Sequence, residues 1–130
     1  MSEKYKVMVI DDSAFMMKII ERALKPYNFE IAGYAGNGKL GLELFEQLKP
    51  DVVVLDITMP EMDGLEVAEN LFKKYREPNV VMLSALGEHE TYIERAKEIG
   101  VKYLLTKPFK DNELIDAIKG LLHKDGELSS

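Results

Sequence analysis

Short apolar runs alternate with segments of helical period along the chain. The runs YKVMVI (5–10), FEIAGYA (29–35), DVVVL (51–55), NVVMLS (79–84) and VKYLLT (101–106) read as strands. Between and after them lie SAFMMKIIERALK (13–25), NGKLGLELFEQLK (37–49), GLEVAENLFKKY (64–75), HETYIERAKEIG (89–100) and NELIDAIKGLLH (112–123). Leu40, Leu44 and Leu48 recur at i, i+4 and i+8, one stripe of a helix, and Leu114, Ile115, Ile118, Leu121 and Leu122 form another. Pro26 and Pro50 fall just after helix-period stretches, Asp63 and Glu66 have the spacing of a capping box, and Gly100 suits a helix that ends in a left-handed turn.

Strand–helix alternation with short loops predicts an α/β fold, a parallel sheet wound with helices on both faces. The segment 52–55 is apolar at consecutive positions, as a central strand buried on both sides should be. Right-handed crossovers leave few topologies. One domain is expected over 5–122, followed at 123–130 by a polar tail that is a candidate for disorder.

Composition narrows the functional classes. With no cysteine among 130 residues, neither disulfides nor thiolate metal sites can form. The N-terminus reaches Asp11-Asp12 too early for a signal peptide, and no apolar run approaches the roughly 18 residues of a membrane span. A cytoplasmic protein with no membrane partner is expected. The net charge of −6, from 17 basic and 23 acidic residues, argues against a broad nucleic-acid footprint.

The chemistry lies at the strand ends, where open α/β sheets bind ligands. Asp11-Asp12 follow the first strand, Asp56 the third, Ser84 ends the fourth, and Lys107-Pro108 follow the fifth. If these strands are neighbours, three acids, a hydroxyl and a lysine converge. Two like charges ~4 Å apart repel by about 4 kcal/mol even at an effective dielectric of about 20, so either a carboxyl pKa rises or a cation binds. An all-oxygen donor set suits Mg²⁺, and with no histidine at a strand end zinc is disfavoured. Beside such a cation, Asp56 could attack phosphorus to give an acyl phosphate, with Lys107 neutralising charge and Ser84 donating a hydrogen bond. Each residue also has an ordinary reading: Asp11, Asp12 and Ser13 as helix caps, Asp56 as a loop acid, Ser84 as a turn-former, Lys107 as a surface lysine. Those readings explain the residues singly but not their joint placement.

In order and spacing, VMVIDDSAFM, VVVLDITMPEMDG, NVVMLSALG and YLLTKPF resemble the receiver domain of two-component response regulators, of the CheY type. The resemblance implies the doubly wound (βα)5 flavodoxin-like fold with sheet order 2-1-3-4-5. It makes Asp56 the phosphoacceptor and Mg²⁺ the cofactor. The metal would be held by Asp12 directly, by Asp11 mainly through water, by Asp56, and by the backbone carbonyl of Thr58. Ser84 becomes the switch hydroxyl and Lys107 the phosphate-contacting lysine, joined to Pro108 by a cis bond. The implied phosphoryl donor is a sensor histidine kinase or a phosphotransfer protein. The implied output is a downstream target, or the protein's own output domain, bound through the face of helix four, strand five and helix five. Self-catalysed transfer and hydrolysis are expected, not enzymatic turnover, in a monomer or phosphorylation-dependent dimer. No output segment follows residue 122, which leaves a stand-alone chemotaxis-type or phosphorelay regulator, or the receiver part of something longer, as the alternatives.

Two positions depart from the family pattern. Receivers commonly carry a switching aromatic three residues before the lysine; here it is Leu104, and strand alternation sends the adjacent Tyr103 to the opposite face. The positions that tune dephosphorylation, two beyond the phosphoacceptor and two beyond the hydroxyl, are Thr58 and Leu86, neither able to orient water as an acid or amide would. A long-lived phosphoryl form is therefore expected. His89 and His123 are expected to face solvent, Met8 and Met82 to lie in strands, and Met16 or Met17 to fill core. Two rivals are weaker: an Asp-nucleophile phosphatase of haloacid dehalogenase type wants a second acid where Thr58 stands, and a flavodoxin-type flavin binder wants a phosphate loop where DDSAFMM stands.

Overall fold

The computed structural model describes residues 4–123; the expected tail, from Lys124 onward, lies outside the described residues. The elements alternate as β1 (Tyr5–Ile10), α1 (Ala14–Leu24), β2 (Phe29–Ala35), α2 (Gly38–Leu48), β3 (Val52–Asp56), α3 (Gly64–Lys74), β4 (Val80–Ser84), α4 (Glu90–Ile99), β5 (Tyr103–Thr106) and α5 (Asp111–Leu122). All strand pairs are parallel and the order is β2-β1-β3-β4-β5, as the resemblance implied. The chain reverses its direction of travel between β1 and β3, so the crevice at their C-terminal ends is the topological switch point.

Strand alternation splits the core into two layers. Val7, Val9, Val52, Val54, Val81 and Leu83 pack with Ile20 and Leu24 of α1 and with Leu114 and Ile118 of α5. Met8, Ile10, Val53, Leu55, Val80 and Met82 pack on the other face with Phe45 of α2, Val67 and Leu71 of α3, and Ala96 of α4. Each fully buried side chain of this size contributes about 2 kcal/mol of transfer free energy, which fixes the register of the central strands. Met16 and Met17 both fill space beside the first layer, and Met8 and Met82 are wholly buried in strands, as expected.

The leucine stripe of α2 is not its buried face. Leu40 is 41% exposed, and the residues in the core are Gly38, Gly41 and Phe45. The reason is close approach: a Cβ on Gly41 would stand 2.6 Å from Cδ1 of Ile10. The helix therefore rests Gly41 on the sheet and Gly38 against Met62 and Val67, with Leu42, Leu44 and Leu48 partly buried in the same layer.

Strand β5 begins two residues later than the apolar run suggested. Gly100 (φ 125°) ends α4 in the left-handed region, and the Val101 N–H donates to the Ala96 carbonyl at 3.1 Å. Val101 is buried as part of that helix closure and not as a strand residue.

Candidate functional site

Local folding aims each strand end at the switch point. Among the described residues, the polar side chains buried to core level are Asp11, Asp56 and Ser84, each at the C-terminal end of a central strand. Asp56 is the last residue of β3, where the run VVVLD stays buried through the carboxylate. Gly64, the first residue of α3, crosses over the Asp56 backbone: a Cβ there would collide with the Asp56 carbonyl oxygen, and its N–H donates to the Ile57 carbonyl at 2.6 Å. Asp63 caps the same helix by accepting from the Glu66 N–H at 2.9 Å. That is why Asp63 and Gly64 follow the acid so closely.

Asp11 is fully buried and has two tasks. Its Oδ1 accepts from the Ser13 N–H at 2.8 Å, beside the Ser13 hydroxyl that caps α1 on the Met16 N–H. Its Oδ2 faces the Lys107 ammonium at 3.3 Å. The same ammonium lies 3.3 Å from Oδ1 of Asp56, so one cation bridges two buried carboxylates. Asp12, exposed beside them, completes a cluster in which one carboxylate oxygen from each of the three residues lies within 4.8 Å of the others. The helix-cap reading thus holds for Ser13, while Asp11 braces the Ser13 N–H ahead of the helix and faces the site.

Burial, then the charge of Asp11, push the Asp56 pKa from 3.8 to about 6; Lys107 opposes that rise and Asp12 adds to it. Ionisation of this carboxyl is therefore disfavoured unless a cation offsets the charge. Three clustered carboxylates against one ammonium leave a negative excess, and the all-oxygen donor set fits a hard divalent ion such as Mg²⁺.

The remaining sequence-picked residues surround this cluster. The Ser84 hydroxyl, at the end of β4, donates to the Leu105 carbonyl at 3.4 Å, a long and easily exchanged bond. The Lys107 N–H donates to the Ser84 carbonyl at 2.8 Å, tying the β5 exit to β4, and the Lys107–Pro108 peptide is cis. Thr58 is exposed two residues beyond Asp56. Leu104 is half-buried in the layer under α4, whereas Tyr103 lies on the α5 side, where its ring abuts Gly120. The two neighbours therefore face opposite ways, as alternation required.

Sequence reasoning missed two side chains. The Tyr34 hydroxyl donates to the Asp11 carbonyl at 2.8 Å, and burial together with the charges of Asp11 and Asp12 raises its pKa. Glu88 reaches from the loop after β4 to the Thr58 hydroxyl and the Ala85 N–H. Tyr34 lies in the second strand but bonds a backbone carbonyl, and Glu88 lies in an irregular loop, so no motif marks either contact. His89 is exposed as expected, but its Nδ1 also caps α4 by accepting from the Thr91 N–H at 3.2 Å. His123, at the end of α5, is half-buried rather than solvent-facing.

The fold agrees with the comparisons to known proteins. A chemotaxis protein CheY of Listeria monocytogenes is 36% identical over 114 residues, covering 88% of this chain and 95% of that protein. The transcriptional regulatory protein PdtaR of Mycobacterium tuberculosis is 33% identical over 125 residues, covering 96% of this chain but 60% of that protein. Among solved structures, the CheX–CheY–BeF3–Mg complex from Borrelia burgdorferi aligns with TM-score 0.82 at 27% identity, covering 89% of this chain and 87% of that one. Residues 7–119 match the model of the response regulator receiver domain, and the chain belongs to that CheY-like family of two-component signalling.

Proposed function

We propose that this receiver is a phosphorylation-activated switch that accepts its phosphoryl group on Asp56 from the phosphohistidine of a sensor histidine kinase or phosphotransfer protein. The observation that carries the reading is the buried Asp56 carboxylate sharing the Lys107 ammonium with Asp11 at 3.3 Å, with Asp12 and Ser84 at the neighbouring strand ends. A carboxylate oxygen of Asp56 forms a bond to phosphorus as the P–N bond breaks, and the imidazole leaves with the electron pair and takes up a proton. Lys107 neutralises charge on one side of the phosphoryl group, and the Ser84 hydroxyl exchanges its weak bond to Leu105 for a phosphoryl oxygen. Asp11, Asp12, Asp56 and the Thr58 carbonyl would hold Mg²⁺, which when bound offsets charge on the carboxylate and phosphoryl oxygens.

The phosphorylated protein, cytoplasmic in this reading, then binds a downstream target through the face of α4, β5 and α5. Leu104, half-buried beneath α4, takes the place of a switching aromatic by changing rotamer. The test is transfer from a radiolabelled, autophosphorylated histidine kinase. Label should move from kinase to this chain, and Asp56→Asn should abolish the transfer. Multiple-turnover release of phosphate from simple phosphomonoesters would instead support a phosphatase.

A further inference from the structure

We infer that Glu88 is a built-in competitor of the phosphoryl group: its carboxylate clips the β3–α3 loop to the β4–α4 loop in the unphosphorylated protein, and phosphorylation expels it. The inference rests on Asp56 being the phosphoacceptor. Glu88 Oε1 accepts from the Ala85 N–H at 3.1 Å, and the Thr58 hydroxyl lies 3.3 Å and 3.4 Å from the two carboxylate oxygens. Thr58 is two residues beyond Asp56, and Ala85 directly follows Ser84. Asp56 and Leu83 are register partners, and the Ile57 N–H donates to the Leu83 carbonyl at 3.0 Å, so both loops leave the sheet side by side. The clip therefore spans the two loops that flank the phosphoacceptor.

An amide N–H and a hydroxyl offered from adjacent loops make a donor pair for an anion, and the chain's own carboxylate now fills it. A phosphoryl group on Asp56 adds about −1.5 to −2 of charge and oxygens that only accept. It competes for the same donors and repels Glu88. Release is mechanically easy, because Gly87 sits at φ 83° with open space around it. The consequence reaches α4, since Glu88 directly precedes His89, the residue that caps that helix. The route needs no aromatic at position 104, and so supplies a coupling to α4 that the family's usual side chain does not provide here.

Beryllofluoride, a phosphoryl mimic, tests this with saturating Mg²⁺ on wild type, Glu88→Gln and Glu88→Ala, while the Ala85 amide is followed by NMR. Glu88→Ala should bind the mimic about tenfold more tightly, the worth of one charge-assisted hydrogen bond no longer displaced, with Glu88→Gln in between. In the free protein the Ala85 amide should exchange with solvent faster in Glu88→Ala than in wild type, and beryllofluoride should remove that difference. Affinities within about twofold of one another, in proteins that all bind the mimic, would overturn the competition while leaving the phosphoacceptor reading intact. A folded wild type that binds no beryllofluoride would overturn both.

Discussion

The Lys107 ammonium lies 3.3 Å from Asp56 Oδ1 and equally far from Asp11 Oδ2, so a single cation bridges two buried carboxylates. Lys107→Ala would leave them facing each other without it. Stability should fall by roughly 1–3 kcal/mol at pH 7.5 in urea titrations without Mg²⁺, and by less at pH 5, where Asp56 is largely protonated. An equal loss at both values would mean that the lysine contributes packing alone.

Asp56 makes stability depend on pH in a direction opposite to that of an ordinary salt-bridged acid. Because its folded pKa is raised from 3.8 to about 6, the folded chain keeps a proton that the unfolded chain has lost, and stability falls as pH rises through that window. Between pH values below 3.8 and pH 7 this group alone removes on the order of 3 kcal/mol from folding stability. Asp56→Asn should therefore stabilise the metal-free protein at pH 7.5, with the advantage shrinking toward pH 4. Thermal unfolding at several pH values measures it, and a pH-independent difference would contradict the burial account.

Gly64 is fixed by contact and not by conformation. Alanine is ordinarily the better helix former by about 1 kcal/mol, yet at this position its methyl would meet the Asp56 carbonyl oxygen. Gly64→Ala should lose about 2–3 kcal/mol and disturb the site, as overpacking does. Gly36→Ala is the control: the nearest atom to its Cβ would be the Tyr34 hydroxyl at 4.0 Å, and stability should change by less than about 1 kcal/mol.

Residues whose neighbours in sequence are also their partners were readable before the fold was known. Val52 to Leu55 announce a strand buried on both faces, and Asp63 caps α3 through the Glu66 N–H that the spacing pointed to. Long-range contact was harder to read. The stripe Leu40, Leu44, Leu48 marks α2 as a helix, but only the Ile10 side chain under Gly41 and the Met62 and Val67 contacts at Gly38 explain why glycines sit there. Val101 continues an apolar run, yet its N–H closes α4. Asp11, Asp12, Asp56, Ser84 and Lys107 stood out because strand ends are marked by where apolar runs stop. Tyr34 and Glu88 did not, since one acts through a backbone carbonyl and the other from an irregular loop.

The phosphorylated form should decay slowly. Thr58 carries no carboxylate or amide to hold an attacking water, Leu86 is an 80% exposed hydrocarbon, and Glu88 is expelled from Thr58 by the incoming charge. With donor removed and no phosphatase added, the phosphoryl group should persist for minutes or longer. A lifetime of seconds, followed by loss of label, would contradict this.

The most direct test of the central claim is intact mass after incubation with acetyl phosphate and Mg²⁺, compared with Asp56→Ala and with a chelated control. A single phosphoryl adduct is expected on the wild type, and none on either control. An adduct that survives Asp56→Ala, or no adduct where a known receiver labels fully, would contradict it.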